Sequence, residues 1–306
     1  MNEIISFITS VLSMTTPLLI AALGVVFSAK AGIVNIGTEG FMLTGALFGV
    51  VGSYYSGSAF VGALCAMLSG TVISAAFAVA VLHGRAAQNV VGVAINLIAT
   101  GMTVVFNRVI FGINATVTKV AGFDAAPIPL LSEIPILGQT LFNQPILCYM
   151  AFLLVPLAWF VMQRTATGLK VRAVGEDPKV CDMAGISVMK VRWATILLSG
   201  AMCGLGGAYM SMGNLRFFSE NMLAGEGFMV LAAVVFGNYS PLGVMGACTL
   251  FGAANALRYR LTATLTWVPY QFWTMLPYVI TILALCGLVS KPRKGPASSG
   301  VPYVKE

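Results

Sequence analysis

Of the ten acidic residues in this chain, Glu39 and Glu226 have the most unusual setting. Each opens the same tetrapeptide at the head of an apolar stretch, Glu39-Gly40-Phe41-Met42 and Glu226-Gly227-Phe228-Met229. A carboxylate near membrane depth is costly, so it marks either a polar path or a helix start, where it meets the positive end of the helix dipole. The break in the apolar pattern before each favours the helix start. Asn35, Asn96 and Asn255 could hydrogen-bond a solute or tie one helix to another. Phe41 and Phe228 could stack on a planar ring, although packing is the commoner use of a phenylalanine on an apolar segment.

The rest of the inventory is poor in catalysis. One histidine, His83, leaves no metal constellation. Cys65, Cys148, Cys203, Cys248 and Cys286 lie inside apolar runs as small packing residues, and Cys181 alone lies in a polar loop. Paired aspartates or a Ser/His pair, as an intramembrane enzyme would need, are lacking, so no catalytic or metal-binding residue is assigned. The Gly-x-x-x-x-Gly-Lys-[Ser/Thr] loop that cradles nucleotide phosphates is also missing. Any driving energy must therefore come from a partner or from an ion gradient. An ion-coupled transporter should carry a carboxylate pair or acidic relay within its helices, whereas Glu39 and Glu226 are isolated in sequence.

The elements that must hold these residues are membrane helices. The composition is 58% hydrophobic and 9% charged, with mean hydropathy +0.91. That is too little charge to cover a water-facing surface, and the 33 glycines suit close helix packing in lipid. Apolar runs fall at 4–29, 41–55, 59–82, 90–107, 146–162, 193–212, 228–237, 244–257 and 270–289. The expected fold is all-α, a single transmembrane domain over 1–306 with about nine spans (8–10), each needing about 20 residues. The runs at 4–29, 59–82, 193–212 and 270–289 are long enough or nearly so. Those at 41–55, 228–237 and 244–257 are short and broken by Gly, Asn and Pro, as discontinuous helices are in transporters. Met1-Asn2-Glu3 lacks the basic region of a cleavable leader.

The net charge of +7 does not point to nucleic acid, because the basic residues sit beside apolar runs and orient the chain. The loop 163–192 carries Arg164, Lys170, Arg172, Lys179, Lys190 and Arg192, and the tail 290–306 carries Lys291, Arg293, Lys294 and Lys305. Both are expected in the cytoplasm. The connection 107–145 holds Arg108 and Lys119 against Asp124 and Glu133 and is expected outside, together with 213–227 and its Arg216, Glu220 and Glu226. Arg258 and Arg260 conflict with this scheme unless they lie on the outer side or in a re-entrant pocket. On the same topology the two Glu-Gly-Phe-Met segments run in opposite directions, as in an inverted-topology repeat.

The loop itself contains a short helix with readable ends. Asp177 can accept from the first free backbone amides, Pro178 suits the first helical position, and Gly185 can close the last turn in the left-handed conformation. A helix of about two turns over 178–184 is too short to stand alone in water, so it must dock on something. It leads into Trp193–Met212, whose Gly200, Gly204, Gly206 and Gly207 suit close packing.

The stretch from Thr165 to Tyr209 resembles the cytoplasmic signature of the ABC transporter permeases of the branched-chain amino acid, ribose and nucleoside group. Asn35-Ile-Gly-Thr-Glu39-Gly-Phe-Met42 and the segment from Gly225 through Phe236-Gly-Asn-Tyr-Ser-Pro241 to Arg258 are similar to the nucleoside branch. Asn238-Tyr239 departs from the Arg/Lys-Trp pair commoner there. The resemblance implies a multi-pass protein of the bacterial plasma membrane that takes up nucleosides. Its partners would be cytoplasmic ATPase subunits holding ATP and Mg, a second permease that is a related chain, and an extracytoplasmic binding lipoprotein. No cofactor would reside in this chain. Gly175, Glu176, Asp177, Pro178, Ala184 and Gly185 would couple to the ATPase. Asn35, Glu39, Phe41, Asn96, Glu226, Phe228 and Asn255 are the candidates to line the path of a ribose or base, and the outer segments would dock the lipoprotein. Uptake of ribose or another small sugar is the alternative cargo, and ion-coupled transport the alternative engine.

Overall fold

The computed structural model describes residues 2–112, 120–127, 143–264, 267, 269–288 and 295–303. Lys119, Glu133, Lys291, Arg293, Lys294 and Lys305 lie outside them, as does the side chain of Cys286. Eleven helices carry the described chain: α1 (Asn2–Lys30), α2 (Thr38–Ser56), α3 (Ala59–Ala78), α4 (Gln88–Phe111), α5 (Ile146–Arg164), α6 (Ala166–Glu176), α7 (Pro178–Met183), α8 (Val188–Ala208), α9 (Glu226–Phe236), α10 (Pro241–Thr264) and α11 (Tyr270–Leu288). α3 and α8 continue as π-helical turns, Val79–His83 and Tyr209–Leu215. The strands among the described residues are one short antiparallel pair, β1 (Ala125–Pro127) and β2 (Asn143–Pro145). The fold is all-α, as composition demanded.

Five helices are long and apolar enough to cross a membrane: Ile5–Lys30, Ala59–His83, Gln88–Phe111, Ile146–Arg164 and Val188–Leu215. Length and hydropathy alone therefore do not reach the expected nine spans among the described residues. The run at 270–289, expected to span unaided, forms α11 but is not among the five. The run at 244–257 is not a broken helix, since α10 extends it at both ends to 24 residues. The runs at 41–55 and 228–237 are the discontinuous ones.

The centre of the bundle is α8, packed against α1, α2 and α3. Its glycines let backbones touch. Gly204 meets the Ala66 carbonyl, Gly200 meets Ser74, Gly206 meets the Pro17 carbonyl and Gly207 meets the Met42 carbonyl. A side chain at any of these would collide, so small residues at this spacing set the interhelical distance. Phe41 lies fully buried beside this seam, edge-on to Phe77 at 6.2 Å. It is a packing residue.

Two faces of the bundle are distinguishable. On the loop face, Lys30 at the end of α1 lies under Gly175 at the end of α6, and its Nζ stands 5.7 Å from the Tyr239 ring. On the opposite face, Ser53 donates to the Ala121 carbonyl at 2.6 Å, and Arg216 and Arg108 pair with Asp124 and Glu220 at 2.7 and 2.8 Å. These pairs join 107–112 and 120–125 to 213–225 across the end of the bundle. Both pairs are exposed and solvent-screened, so they orient the two segments more than they stabilise the fold.

Candidate translocation site and coupling loop

α2 begins well inside the bundle. After Lys30 the chain turns at Gly32 (φ +83°) and rises unwound through 33–37 along α4. Its freed backbone groups find side-chain partners, as irregular backbone at membrane depth must. Val34 N–H donates to Gln88 Oε1 at 2.7 Å. Asn96 Nδ2 donates to the Ile36 carbonyl at 3.0 Å, while its Oδ1 accepts from Gly40 N–H at 2.8 Å. Asn96 thus secures the start of α2, which lies about 12 Å along α4 from the loop face. Of its two expected uses, the structure shows the helix-joining one.

α9 is the complementary half. It ends at the loop face, where Asn238 and Tyr239 both take positive φ (57° and 54°) in the turn to α10. The departure from the commoner pair at these positions is thereby located in a loop-face turn, with Tyr239 facing Lys30. Burial holds the Tyr239 phenol above its ordinary pKa. Glu226, the first residue of α9, lies about 15 Å back from that face. The first turns of the two half-helices meet there. Glu39 Oε1 accepts a hydrogen bond from Gly225 N–H at 2.8 Å, and a methyl at Gly227 would collide with the Glu39 backbone. Glu39 does cap a helix start, but the helix is the other half's.

Glu39 and Glu226 stand at this junction, and further buried polar groups lie on the unwound segment below it and on α10. Glu226 is only 7% exposed, with Arg258 of α10 and Glu39 as the charged groups bearing on it. Its expected place on an outer docking surface is therefore wrong, because the segment 213–225 dips inward before α9 begins. Both polar atoms of Asn35 and of Asn255, and Glu39 Oε2, are buried without a hydrogen-bond partner among the described residues. Buried amides and carboxylates are seldom left so, and a hydroxylated solute or water would satisfy them. Phe228 is 49% exposed at the first turn of α9, so its ring remains available where that of Phe41 is not. Tyr278 of α11 donates to the Ala224 carbonyl at 3.1 Å and closes the junction on that side.

The conflict over Arg258 and Arg260 is resolved by α10. Arg258 lies over the Tyr259 ring at 4.5 Å and Arg260 lies 6.0 Å from the ring of Phe7, near the start of α1. A groove of about 520 Å³ runs between these helices beside Ser6, Ser10 and Met14. Both arginines therefore belong to the half of the bundle away from the loop face.

The loop helix forms as its end residues require. Asp177 Oδ1 accepts from Lys179 N–H and Val180 N–H at 3.0 and 3.1 Å, with Pro178 at the first position of α7. Gly185 takes φ +80°, and the Ile186 and Gly185 amides donate to the Cys181 and Asp182 carbonyls at 2.9 and 3.0 Å. That pair of bonds is the Schellman closure. Pro178–Met183 is one residue shorter than expected, Ala184 being the C-cap. Met183 is 81% exposed and Val180 53%, an apolar surface no described residue covers.

The six residues expected to couple do not form one surface. Asp177, Pro178, Ala184 and Gly185 build the ends of α7. Gly175 is buried against the Lys30 carbonyl, and Glu176 Oε2 accepts from Ala297 N–H at 3.4 Å. Cys181, expected in a polar loop, is instead buried with Val174 and Val188. Burial, then the nearby Asp177 carboxylate, pushes its thiol pKa up.

Sequence reasoning missed Arg192. Its place among the basic residues of 163–192 suggests a solvated, chain-orienting charge, yet it is 1% exposed. Its Nε donates to the Ala31 carbonyl at 3.2 Å, Nη1 to the Val301 carbonyl at 3.3 Å, and Nη2 to Ser298 Oγ at 3.4 Å. Nothing in the local pattern around Arg192 signals partners more than a hundred positions away.

Comparison with known proteins agrees with this architecture. Residues 7–285 match the family described as branched-chain amino acid transport system / permease component. The guanosine ABC transporter permease protein NupQ of Bacillus subtilis is 37% identical, over 99% of this chain and 98% of its own. The nucleoside ABC transporter permease protein NupC of Lactococcus lactis is 35% identical over the same shares. A solved structure described as a metal-chelate type ABC transporter, in an inward-facing conformation, superposes with a TM-score of 0.51 over 91% of this chain and 84% of its own, at 14% identity. That last likeness is one of fold alone. With its discontinuous helices and end-to-end similarity to two permeases, this multi-pass membrane chain belongs to the branched-chain amino acid transport system permease family.

Proposed function

We propose that the chain is the permease of an ATP-driven importer whose cargo is a nucleoside. The observation that carries this reading is the near full-length similarity to two nucleoside permeases. In the reading, a binding lipoprotein delivers the nucleoside to the outer surface formed by 107–112, 120–125 and 213–225. Two permease chains, this one and a relative, enclose the path in the plasma membrane. The loop face and the C-terminus lie in the cytoplasm, as the basic residues of 163–192 require. ATP and Mg act on separate ATPase subunits, and α7 is the lever those subunits move. Its exposed Val180 and Met183 supply the apolar surface for docking.

The junction of α2 and α9 suits a weak site for such a cargo. Helix starts and unpaired amides offer donors and acceptors to a ribose, and Phe228 offers a face to a base. Asn35, Asn255, Glu39 and Glu226 are the polar candidates. A site deep in a membrane protein must release what it binds, so selection belongs to the lipoprotein.

The test is competition for uptake by the assembled transporter in proteoliposomes. Purine nucleosides, pyrimidine nucleosides and ribose are offered against tritiated guanosine with ATP inside. Displacement by nucleosides but not ribose supports the reading. Stronger displacement by ribose would move the cargo to sugars, and uptake by the lone chain under an ion gradient would remove the ATP-driven engine.

A further inference from the structure

The segment 295–303 returns to the loop face and lies between three elements. Ser298 N–H donates to the Gly175 carbonyl at 3.0 Å, and Ser298 Oγ donates to the same carbonyl at 2.7 Å. Gly300 N–H donates to the Gly32 carbonyl at 3.1 Å. Tyr303 packs on Val174, Cys181 and Val188, the apolar base on which α7 sits. Gly32 lies so close beneath Ser298 Oγ that a methyl there would stand 2.7 Å from it. Arg192 fastens the assembly, bonding Ala31 on one side and Ser298 and Val301 on the other.

These contacts form one continuous connection. α7 rests through Cys181 on a cluster that includes Tyr303 of the tail. The tail is bonded to Gly32, and from Gly32 the unwound segment rises to Glu39, which holds the first turn of α9. We infer that the C-terminal strap, pinned by Arg192, is the positioning element that carries movement of α7 to the turn at Ala31–Gly32 and so to the half-helix junction. This rests on the reading of α7 as the lever of an ATPase.

The chemistry of the pin supports a shared, two-sided role. A buried guanidinium is costly unless every donor finds an acceptor in good geometry. Its rigid planar fork reaches the end of α1 and the tail at once, which a lysine ammonium on a flexible stem does not reproduce. If the tail leaves, Arg192 loses two of its three acceptors, so α1 and the tail are held as a unit. A tail that served only to cover the loop face would need no such link to the mouth of α2.

The experiment compares ATP hydrolysis and tritiated-guanosine uptake in the same proteoliposomes. They contain the full transporter with wild-type permease, Ser298→Ala, Arg192→Lys, or a chain ending at Lys294. Arg192→Lys keeps the charge and hence the orienting effect. The expected result is that ATPase subunits still co-purify and hydrolysis persists, while uptake per ATP falls by about tenfold. Unchanged uptake per ATP in all three variants would overturn the inference. So would a joint loss of co-purification, hydrolysis and uptake in all three, which would make the strap a folding element only. A wild-type complex that never hydrolyses ATP would instead remove the lever reading, and this inference with it.

Discussion

Glu39 in the first turn of α2 and Gly225 at the start of α9 are joined by a 2.8 Å hydrogen bond, although 186 positions separate them. The bond places the starts of two half-helices against each other, and the repeated Glu-Gly-Phe-Met stands on both sides of it. The second glycine of the pair, Gly227, is what lets the backbones approach.

Gly227→Ala should therefore force the junction apart. The added methyl meets the backbone of Glu39 rather than a movable side chain. Overpacking of this kind costs about 1–3 kcal/mol. Thermal unfolding in detergent should show a lowered midpoint, and uptake should fall with it. A variant with wild-type stability would mean that the two starts do not touch.

Glu39→Ala and Glu39→Gln separate charge from capping. Alanine removes the acceptor for Gly225 N–H and should cost about 1–3 kcal/mol, because a buried donor is left unpaired. Glutamine retains an acceptor oxygen and should be clearly milder in the same unfolding assay. Equal losses in the two variants would assign the role of Glu39 to its charge.

Much of this was legible in the sequence, for reasons that differ by element. The ends of α7 were readable because Asp177, Pro178 and Gly185 act within a few positions of themselves. The half-helices showed as short apolar runs broken by polar residues, and their opposed directions followed from the basic loop. The burial of Arg192 and Cys181, the inward course of 213–225 and the return of the tail were not readable. Each depends on partners distant in the chain and leaves no periodic trace. Glu226 was misplaced for the same reason, since a polar residue after a loop looks alike at the surface and at a buried helix start.

Gly185→Val should disable transport without preventing insertion. No atom lies within reach of a new side chain there, so the penalty comes from φ +80° alone. A β-branched residue in that conformation costs about 1–2 kcal/mol, and a helix as short as α7 has little to offset it. Gly185→Asn, which tolerates the left-handed region, should retain much of the uptake. Equal uptake by both variants and wild type would detach α7 from the transport cycle.

Maleimide labelling should distinguish the two sides of α7. Native Cys181 is buried and its thiol is held above the ordinary pKa by burial and by Asp177. The thiolate is the reacting form, so labelling at neutral pH should be slow and should rise about tenfold per pH unit until that raised pKa is reached. A cysteine introduced at the exposed Met183 in a Cys181→Ala background should label fast. Rapid labelling of Cys181 at neutral pH would show that α7 is turned the other way.

The most direct measurement is crosslinking from Met183→Cys in cells that carry out nucleoside uptake. Capture of an ATPase subunit, at a yield that changes when ATP is depleted, is the result expected of a lever worked by a nucleotide cycle. Active uptake in cells where no ATPase subunit is ever captured from Met183→Cys would contradict it.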